Sequence, residues 1–290
     1  MTGSFPELNR AVVLEHPGSD VIVIRLVREG RRNTLSEQMV DALDAALIEI
    51  AANPPRALIV TGTGKAFCAG AEIAGFVDDD SPLRGNPLAI AKGYLVRVLE
   101  VFRRLRCLPC PTIAAINGHA LGGGFELALN CDFRIAAKGV MIGLPEVRLG
   151  IVAAAAGVQQ VQRIVGRAKA LEMLLLGDQF TADEACRFGL VTSVCDPQNL
   201  EFSALEFAQR FQLCAPEAVA ETKHAIYRSE SPSLDDADEV AMSALHFAAS
   251  SPDFAEGMAA FVEKRSPVFG NLSARTWPPK KKSLHDHSST

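Results

Sequence analysis

The stretch PTIAAINGHALGGGFELALNCDF, residues 111 to 133, decides how this chain is read. An apolar run, Thr112 to Ile116, meets the turn pair Asn117-Gly118. Gly122, Gly123 and Gly124 then stand directly before Phe125-Glu126-Leu127-Ala128-Leu129, so the pattern is a strand feeding a helix. Glycines at the mouth of a helix permit backbone conformations closed to other residues and let a ligand approach the free N–H groups of the first turn. Such donors can hold an anion or a developing oxyanion. Glu126 falls in that first turn, where an acidic side chain is electrostatically favoured. On these residues alone, two readings stay open: a binding turn with Glu126 facing its ligand, or a close-packed strand-to-helix turn.

Upstream, Val12-Val13-Leu14 and Val21 to Leu26 flank Pro17-Gly18-Ser19-Asp20, the pattern of a hairpin. Ser36 is a plausible cap for a helix in which Leu35, Met39, Leu43, Leu47 and Ile50 recur at helical spacing, and Ala57 to Thr61 is a buried strand. Strand, helix, strand predicts a parallel crossover. That second strand opens into GTGKAFCAGAEI, residues 62 to 73. Residues 76 to 90 are rich in Asp, Pro and Gly and predict a polar loop ahead of a helix from about Ala89 to Leu105. Downstream, Phe133 to Ala136 and Val140 to Gly143 precede LPEVRLG, residues 144 to 150. Pro145 keeps Leu144 out of the helical region, so Glu146 is expected to leave an extended turn.

Three of these segments resemble the signature of the crotonase (enoyl-CoA hydratase/isomerase) superfamily, in the family's order and spacing: the loop ending AFCAGAEI, the glycine stretch, and Pro145-Glu146. EGMAAFVEKR, residues 256 to 265, also resembles the family, and the likeness covers roughly residues 10 to 270. It implies an α/β fold, a crotonase-like spiral of ββα units with a carboxy-terminal helical trimerisation region. It further implies that Ala71 and Gly123 supply the two oxyanion-hole N–H groups for a thioester carbonyl, and that Glu126 and Glu146 are the catalytic carboxylates, Glu126 serving chiefly the water and Glu146 the α-proton. By the same resemblance, residues 69 to 73, including Ala69, Glu72 and Ile73, lie along the adenine and pantetheine of coenzyme A. Phe261 and Lys264 would contact the nucleotide held by a neighbouring subunit. Arg32, Lys65 and Lys264 are the basic residues near the motifs and are assigned to the coenzyme's phosphates.

The expected reaction is syn addition of water to a 2-enoyl-CoA thioester, or its reverse. The alternatives are another acyl-CoA enzyme on this scaffold (an isomerase, hydrolase or decarboxylase) and a non-catalytic acyl-CoA- or RNA-binding homologue. Coenzyme A enters as part of the substrate; no separate cofactor and no metal are implied, since neither a Cys/His cluster nor a dinucleotide fingerprint is present. One segment departs from the pattern. Where the family commonly reads close to G-I-x-P-G-A-G-G, this chain reads GIVAAAAG, residues 150 to 157. The run Ala153 to Ala156 is expected to adopt conformations that alanine tolerates, with methyl groups in space that glycines leave open.

Composition narrows the field further. The 290 residues are 48% hydrophobic, enough for a large buried core, and the net charge of −5 lacks the basic footprint of a nucleic-acid or acidic-membrane binder. Seven cysteines, an odd number with no signal peptide before them, argue for a reducing, cytoplasmic setting. Cys107-Leu-Pro-Cys110 has redox spacing, but a proline and a strand follow where a redox pair should open a helix. The pair reads as structural. From Arg167 the chain reads as helical, Thr181 to Glu184 as a capping box, and Leu190 to Val194 as a short strand. The expected organisation is a spiral core over 1–196 carrying the acyl-CoA site, a helical oligomerisation region over 197–270 forming a homotrimer or dimer of trimers, and a disordered tail over 271–290. His285 and His287 in that tail are too isolated to argue for metal.

Overall fold

The run Ala57–Gly62 forms a strand buried at every position, as is Thr112–Ile116, the mark of parallel strands covered on both faces. The computed structural model describes residues 11–18, 20–229 and 234–270. Its strands are β1 (Val12–Gly18), β2 (Val21–Leu26), β3 (Ala57–Gly62), β4 (Ala66–Cys68), β5 (Thr112–Ile116), β6 (His119–Leu121), β7 (Phe133–Ala137), β8 (Met141–Gly143), β9 (Gln179–Thr181) and β10 (Ser193–Cys195). The α-helices are α1 (Glu37–Ala52), α2 (Ala74–Val77), α3 (Leu95–Arg106), α4 (Gly123–Leu129), α5 (Gly157–Leu176), α6 (Ala182–Arg187), α7 (Leu200–Gln209), α8 (Pro216–Arg228), α9 (Leu234–Ala249) and α10 (Pro252–Glu263).

Two sheets result. One runs β1-β2-β3-β5-β7-β10, parallel except for the β1–β2 hairpin; the other runs β4-β6-β8-β9, with β9 antiparallel. β3, β5 and β7 each hand the chain from the large sheet to β4, β6 and β8 in the small one before helices return it. This repetition is the spiral of ββα units expected from the sequence. The predicted crossover holds: β2 and β3 pair in parallel around α1, whose cap Ser36 accepts the Met39 N–H at 3.2 Å. Met39, Leu43, Leu47 and Ile50 all enter the core, and the capping box at Thr181 and Glu184 is formed. Cys110 lies in the core as a free thiol.

Several local expectations are corrected. The glycine stretch does not follow the first strand directly, because β6 intervenes. Asn117 accepts the Gly62 N–H at 2.9 Å and donates to the Gly64 carbonyl at 3.0 Å, so its turn carries the chain from one sheet to the other. The helix expected from Ala89 begins as a π-helical turn, Ala89–Tyr94, that contains Gly93 and becomes α-helical at Leu95. Glu146 opens a 3-10 turn, Glu146–Leu149, instead of an extended one, because the steric restriction falls on the residue before Pro145 and not on those after it. α5 starts at Gly157, ten residues before the expected Arg167, and is broken at Gly166 (φ 76°, ψ 166°). Ala156 takes a left-handed conformation, φ 81°, contrary to the expectation that the alanine run would avoid it. The last strand is Ser193–Cys195, not Leu190 to Val194, because the Leu190 and Val191 N–H groups close α6 by bonding the Ala185 carbonyl.

α7 lies on the large sheet with Leu200, Ala204 and Ala208 in the core, and Phe207 and Phe211 meet Phe133 at centroid distances of 5.0 and 5.7 Å. α9 and α10, by contrast, leave Met242, Leu245, Phe254, Met258, Phe261 and Val262 exposed. No helix among the described residues is long and apolar enough to cross a membrane. The tail, residues 271–290 with His285 and His287, lies outside the described residues.

Candidate active site

Close backbone approach builds the site. A Cβ on Gly124 would lie 1.9 Å from the Cys68 carbonyl oxygen, so only glycine lets the start of α4 sit against β4; Gly122 takes φ 54°, ψ −132°, also reserved for glycine. The loops of residues 62–73 and 117–124 thereby meet: a Cβ on Gly70 would be 3.0 Å from the Gly123 nitrogen, and one on Gly123 would be 3.7 Å from the Ala71 nitrogen. Among the described residues, neither the Ala71 nor the Gly123 N–H donates to a protein acceptor. Leu35 locks the pair from behind, its N–H on the Gly70 carbonyl at 2.8 Å and its backbone bridged to Ala71.

Two carboxylates face the same cavity. Glu126 is 3% exposed, and its Oε1 accepts the Gly157 N–H at 2.8 Å, the first helical N–H of α5. Burial, and then the charge of Glu146, push its pKa up to about 8, while backbone donors at Gly157 and Ala155 pull the other way. Glu146 is 7% exposed and its pKa is raised by burial. Its Oε1 lies beside Gly122, where a Cβ would stand 3.0 Å away, and its buried Oε2 has no hydrogen-bond partner among the described residues. Buried oxygens are seldom left unpaired, and this one belongs to a residue that lines the cavity. Two acids raised together retain a proton near neutrality. The backbone donors on Glu126 work against its burial, so the one proton kept by the pair can pass to Glu146 and leave Glu126 ionised against the Gly157 N–H.

The cavity they share has a volume of 260 Å³ and is otherwise apolar. Of the residues named from sequence, Ala69, Ala71, Ile73, Gly123, Glu126 and Glu146 line it. Arg32, Lys65, Glu72, Phe261 and Lys264 do not. Arg32 and Lys65 are exposed on the loops flanking the Ala71 and Gly123 N–H groups, and Arg32 accepts the Ala69 N–H on its carbonyl at 3.1 Å. Glu72 pairs with Arg28 at 3.6 Å. Phe261 is 84% exposed on α10, and Lys264 ends that helix in a left-handed cap. Sequence reasoning missed three contributors. Asn33, fully buried, donates from Nδ2 to the Ala66 carbonyl at 2.9 Å and shapes the first loop; its φ of 54° is of the kind asparagine tolerates. Gly157 holds Glu126, and Tyr94 lines the cavity from the π-helical turn.

A larger recess, 510 Å³, lies elsewhere, against α8 and the starts of β5 and β7. Its charged groups are spent on each other: Lys223 Nζ is 2.7 Å from Asp132 Oδ2, and the Tyr227 hydroxyl donates to Asp132 Oδ1 at 2.9 Å. Beyond these it is lined by the exposed thiol of Cys214 but by no second acid, so the smaller cavity with its two carboxylates is the candidate site.

Comparison with known proteins agrees with this geometry. The profile of the enoyl-CoA hydratase/isomerase family matches residues 17–272. The chain is 38% identical over 261 residues to a short-chain-enoyl-CoA hydratase of Clostridium acetobutylicum, covering 89% of this chain and 97% of that one. It is 36% identical over 249 residues to a crotonyl-CoA hydratase of Syntrophomonas wolfei, covering 85% and 93%. The crystal structure of an enoyl-CoA hydratase from Bacillus anthracis superposes with a TM-score of 0.82 at 35% identity, covering 89% of this chain and 98% of that one. The chain therefore belongs to the enoyl-CoA hydratase/isomerase family and has the crotonase fold.

Proposed function

We propose that this protein is an enoyl-CoA hydratase, adding water to the double bond of a 2-enoyl-CoA thioester or removing it in reverse. The observation that carries the reading is the placement of two buried carboxylates, one with an unpartnered oxygen, in the same cavity as two unspent backbone N–H groups. The Ala71 and Gly123 N–H groups hold the thioester oxygen and stabilise the enolate-like state, each worth on the order of 3 to 4 kcal/mol by analogy with measured oxyanion donors. Glu126, ionised against the Gly157 N–H, takes a proton from water as its oxygen bonds to the β-carbon. Glu146 gives its proton to the α-carbon, and the proton count of the pair is restored.

The coenzyme runs along residues 69 to 73, with Arg32 and Lys65 toward its phosphates. Since Phe261 and Lys264 stand away from the cavity of their own chain, they serve the site of a neighbouring subunit. The exposed apolar side chains of α9 and α10 supply the surface for a homotrimer or a dimer of trimers. All seven cysteines are free thiols, consistent with a reducing cytoplasmic setting. Incubating the protein with trans-2-butenoyl-CoA in oxygen-18 water tests the reaction: loss of the conjugated thioester absorbance with one labelled oxygen in the product is expected. A shifted double bond without label would instead establish an isomerase. Light scattering tests the assembly, and a stable active monomer would remove Phe261 and Lys264 from the site.

A further inference from the structure

One hydroxyl ties a wall of the cavity to both oxyanion donors. Tyr94 closes the π-helical turn Ala89–Tyr94, and Ile90 and Tyr94 of that turn line the cavity. Single π-helical turns recur at functional sites. The Tyr94 hydroxyl donates to the Leu35 carbonyl at 2.6 Å, and its ring stands edge-on to Phe76 at a centroid distance of 5.8 Å. Leu35 is 1% exposed, so water has little access to replace that bond.

Leu35 is also the residue that touches both donors. Its N–H is on the Gly70 carbonyl, its backbone is bridged to Ala71, and its Cδ1 lies 3.0 Å from where a Gly123 Cβ would be. Moving the Leu35 backbone therefore moves Ala71, and moving its side chain changes the room beside Gly123. Burial raises the pKa of the Tyr94 phenol, keeping it protonated and able to donate.

We propose that Tyr94 is a positioning residue: through Leu35 its hydroxyl sets the spacing of the Ala71 and Gly123 N–H groups, so that contact of an acyl chain with the wall at Ile90 and Tyr94 tightens the grip on the thioester oxygen. The proposal rests on the reading of Ala71 and Gly123 as the oxyanion donors. It does not require that the reaction be hydration.

Tyr94→Phe keeps the ring and its contact with Phe76 and removes only the hydroxyl. The probe is cinnamoyl-CoA, whose conjugated thioester absorbs further to the red when hydrogen bonds polarise its carbonyl. Expected in Tyr94→Phe are a smaller red shift of the bound probe and a kcat on trans-2-butenoyl-CoA about tenfold lower, less than the loss on deleting a whole oxyanion donor. KM should stay within about threefold and the thermal midpoint within a few degrees, the split that marks a transition-state effect. An unchanged red shift with kcat near wild type overturns the proposal. So does a large fall in thermal midpoint, because the hydroxyl would then be a general structural support. The outcomes separate from those of the hydratase reading: a wild-type protein that shifts the probe but adds no water fails as a hydratase and leaves Tyr94 testable, whereas a bound probe with no shift removes the oxyanion hole and this proposal together.

Discussion

Glu126 and Asp132 stand one helical end apart in the sequence and both are largely buried, yet their surroundings differ in kind. Asp132 is satisfied on every side: Oδ2 accepts the Thr112 N–H at 2.7 Å, the Thr112 hydroxyl at 3.0 Å and Lys223 at 2.7 Å, and Oδ1 accepts Tyr227 at 2.9 Å. Lys223 also donates to the Cys110 carbonyl at 2.9 Å. Among the described residues no cation pairs with Glu126; its neighbour is a second acid, Glu146, one of whose oxygens has no partner among them. The first arrangement uses burial to fix the fold, since a paired buried charge is costly to disrupt. The second keeps hydrogen-bonding capacity in reserve for something that is not protein. Mutations in the two clusters should therefore separate stability from activity.

The largest effect should come from the unsatisfied pair. Changing either Glu126 or Glu146 to Gln removes proton transfer while keeping size, and should cost about 10² to 10⁴ in kcat on a trans-2-enoyl-CoA. Thermal stability should stay level or rise, because an acid no longer has to be buried. The double variant should be little worse than the worse single one, since residues that act as a unit are non-additive. Near-full activity in Glu126→Gln would break the comparison on its catalytic side.

Acidity gives a second handle. Glu126 holds its proton more tightly in the folded chain, about 8 against the ordinary 4.5, and Glu146 is shifted in the same direction. Between those limits the folded state binds more protons than the unfolded one, so stability falls as pH rises from about 4.5 to 8 and levels off above it. Urea unfolding across that range should show the slope in wild type and a shallower one in Glu126→Gln. On the same grounds kcat/KM should decline above about pH 8, where the pair loses its shared proton. A flat stability profile would mean that the pair is better solvated than its burial implies.

The satisfied cluster should answer in the opposite currency. Lys223 and Asp132 are only 10% and 12% exposed at the side chain. Lys223→Met leaves Asp132 buried without its cation, a change that typically costs about 3 to 5 kcal/mol. A thermal midpoint lowered by roughly 10 °C follows from the usual scaling for a chain of this size. Activity per folded molecule should remain near wild type, and a matching loss in kcat would show that the recess is coupled to the site.

How much of this was legible beforehand follows from the range of each interaction. The caps at Ser36 and Thr181, the parallel crossover and the glycine-led helix with Glu126 are written in neighbouring residues, and the periodicity shows them. The partners are not. Glu126 meets Gly157 across 31 residues, and Tyr94 meets Leu35 across 59, separations at which local pattern carries no information. The alanine run drew notice as a departure from the family pattern, but its left-handed Ala156, just before the Gly157 N–H that holds Glu126, needed the fold to be seen. Phe261 and Lys264 mark a different limit, for the contact proposed for them with a neighbouring subunit would lie outside the chain that carries them.

The finest test sets two half-buried tyrosine hydroxyls against each other. Tyr94 donates to a neutral carbonyl behind the Ala71 and Gly123 N–H groups, while Tyr227 donates to a carboxylate oxygen with no other donor among the described residues. Tyr227→Phe keeps the ring, including its contact with the Arg106 guanidinium at 6.0 Å, and removes only that hydrogen bond. Hydrogen bonds to charged groups contribute about 1.5 to 3 kcal/mol, and the carboxylate keeps its three contacts at Oδ2, so the loss should fall at the lower end of that range. That is less than for Lys223→Met because the cation stays. No residue lining the recess at Tyr227 also lines the cavity of Glu126 and Glu146, so kcat and the red shift of bound cinnamoyl-CoA should match wild type. Tyr94→Phe should show the reverse, a dimmer red shift and lower kcat at nearly unchanged stability. If both variants lose stability and neither changes kcat, the two hydroxyls are alike, and the division between a cluster built for the fold and one built for the reaction does not extend to Tyr94.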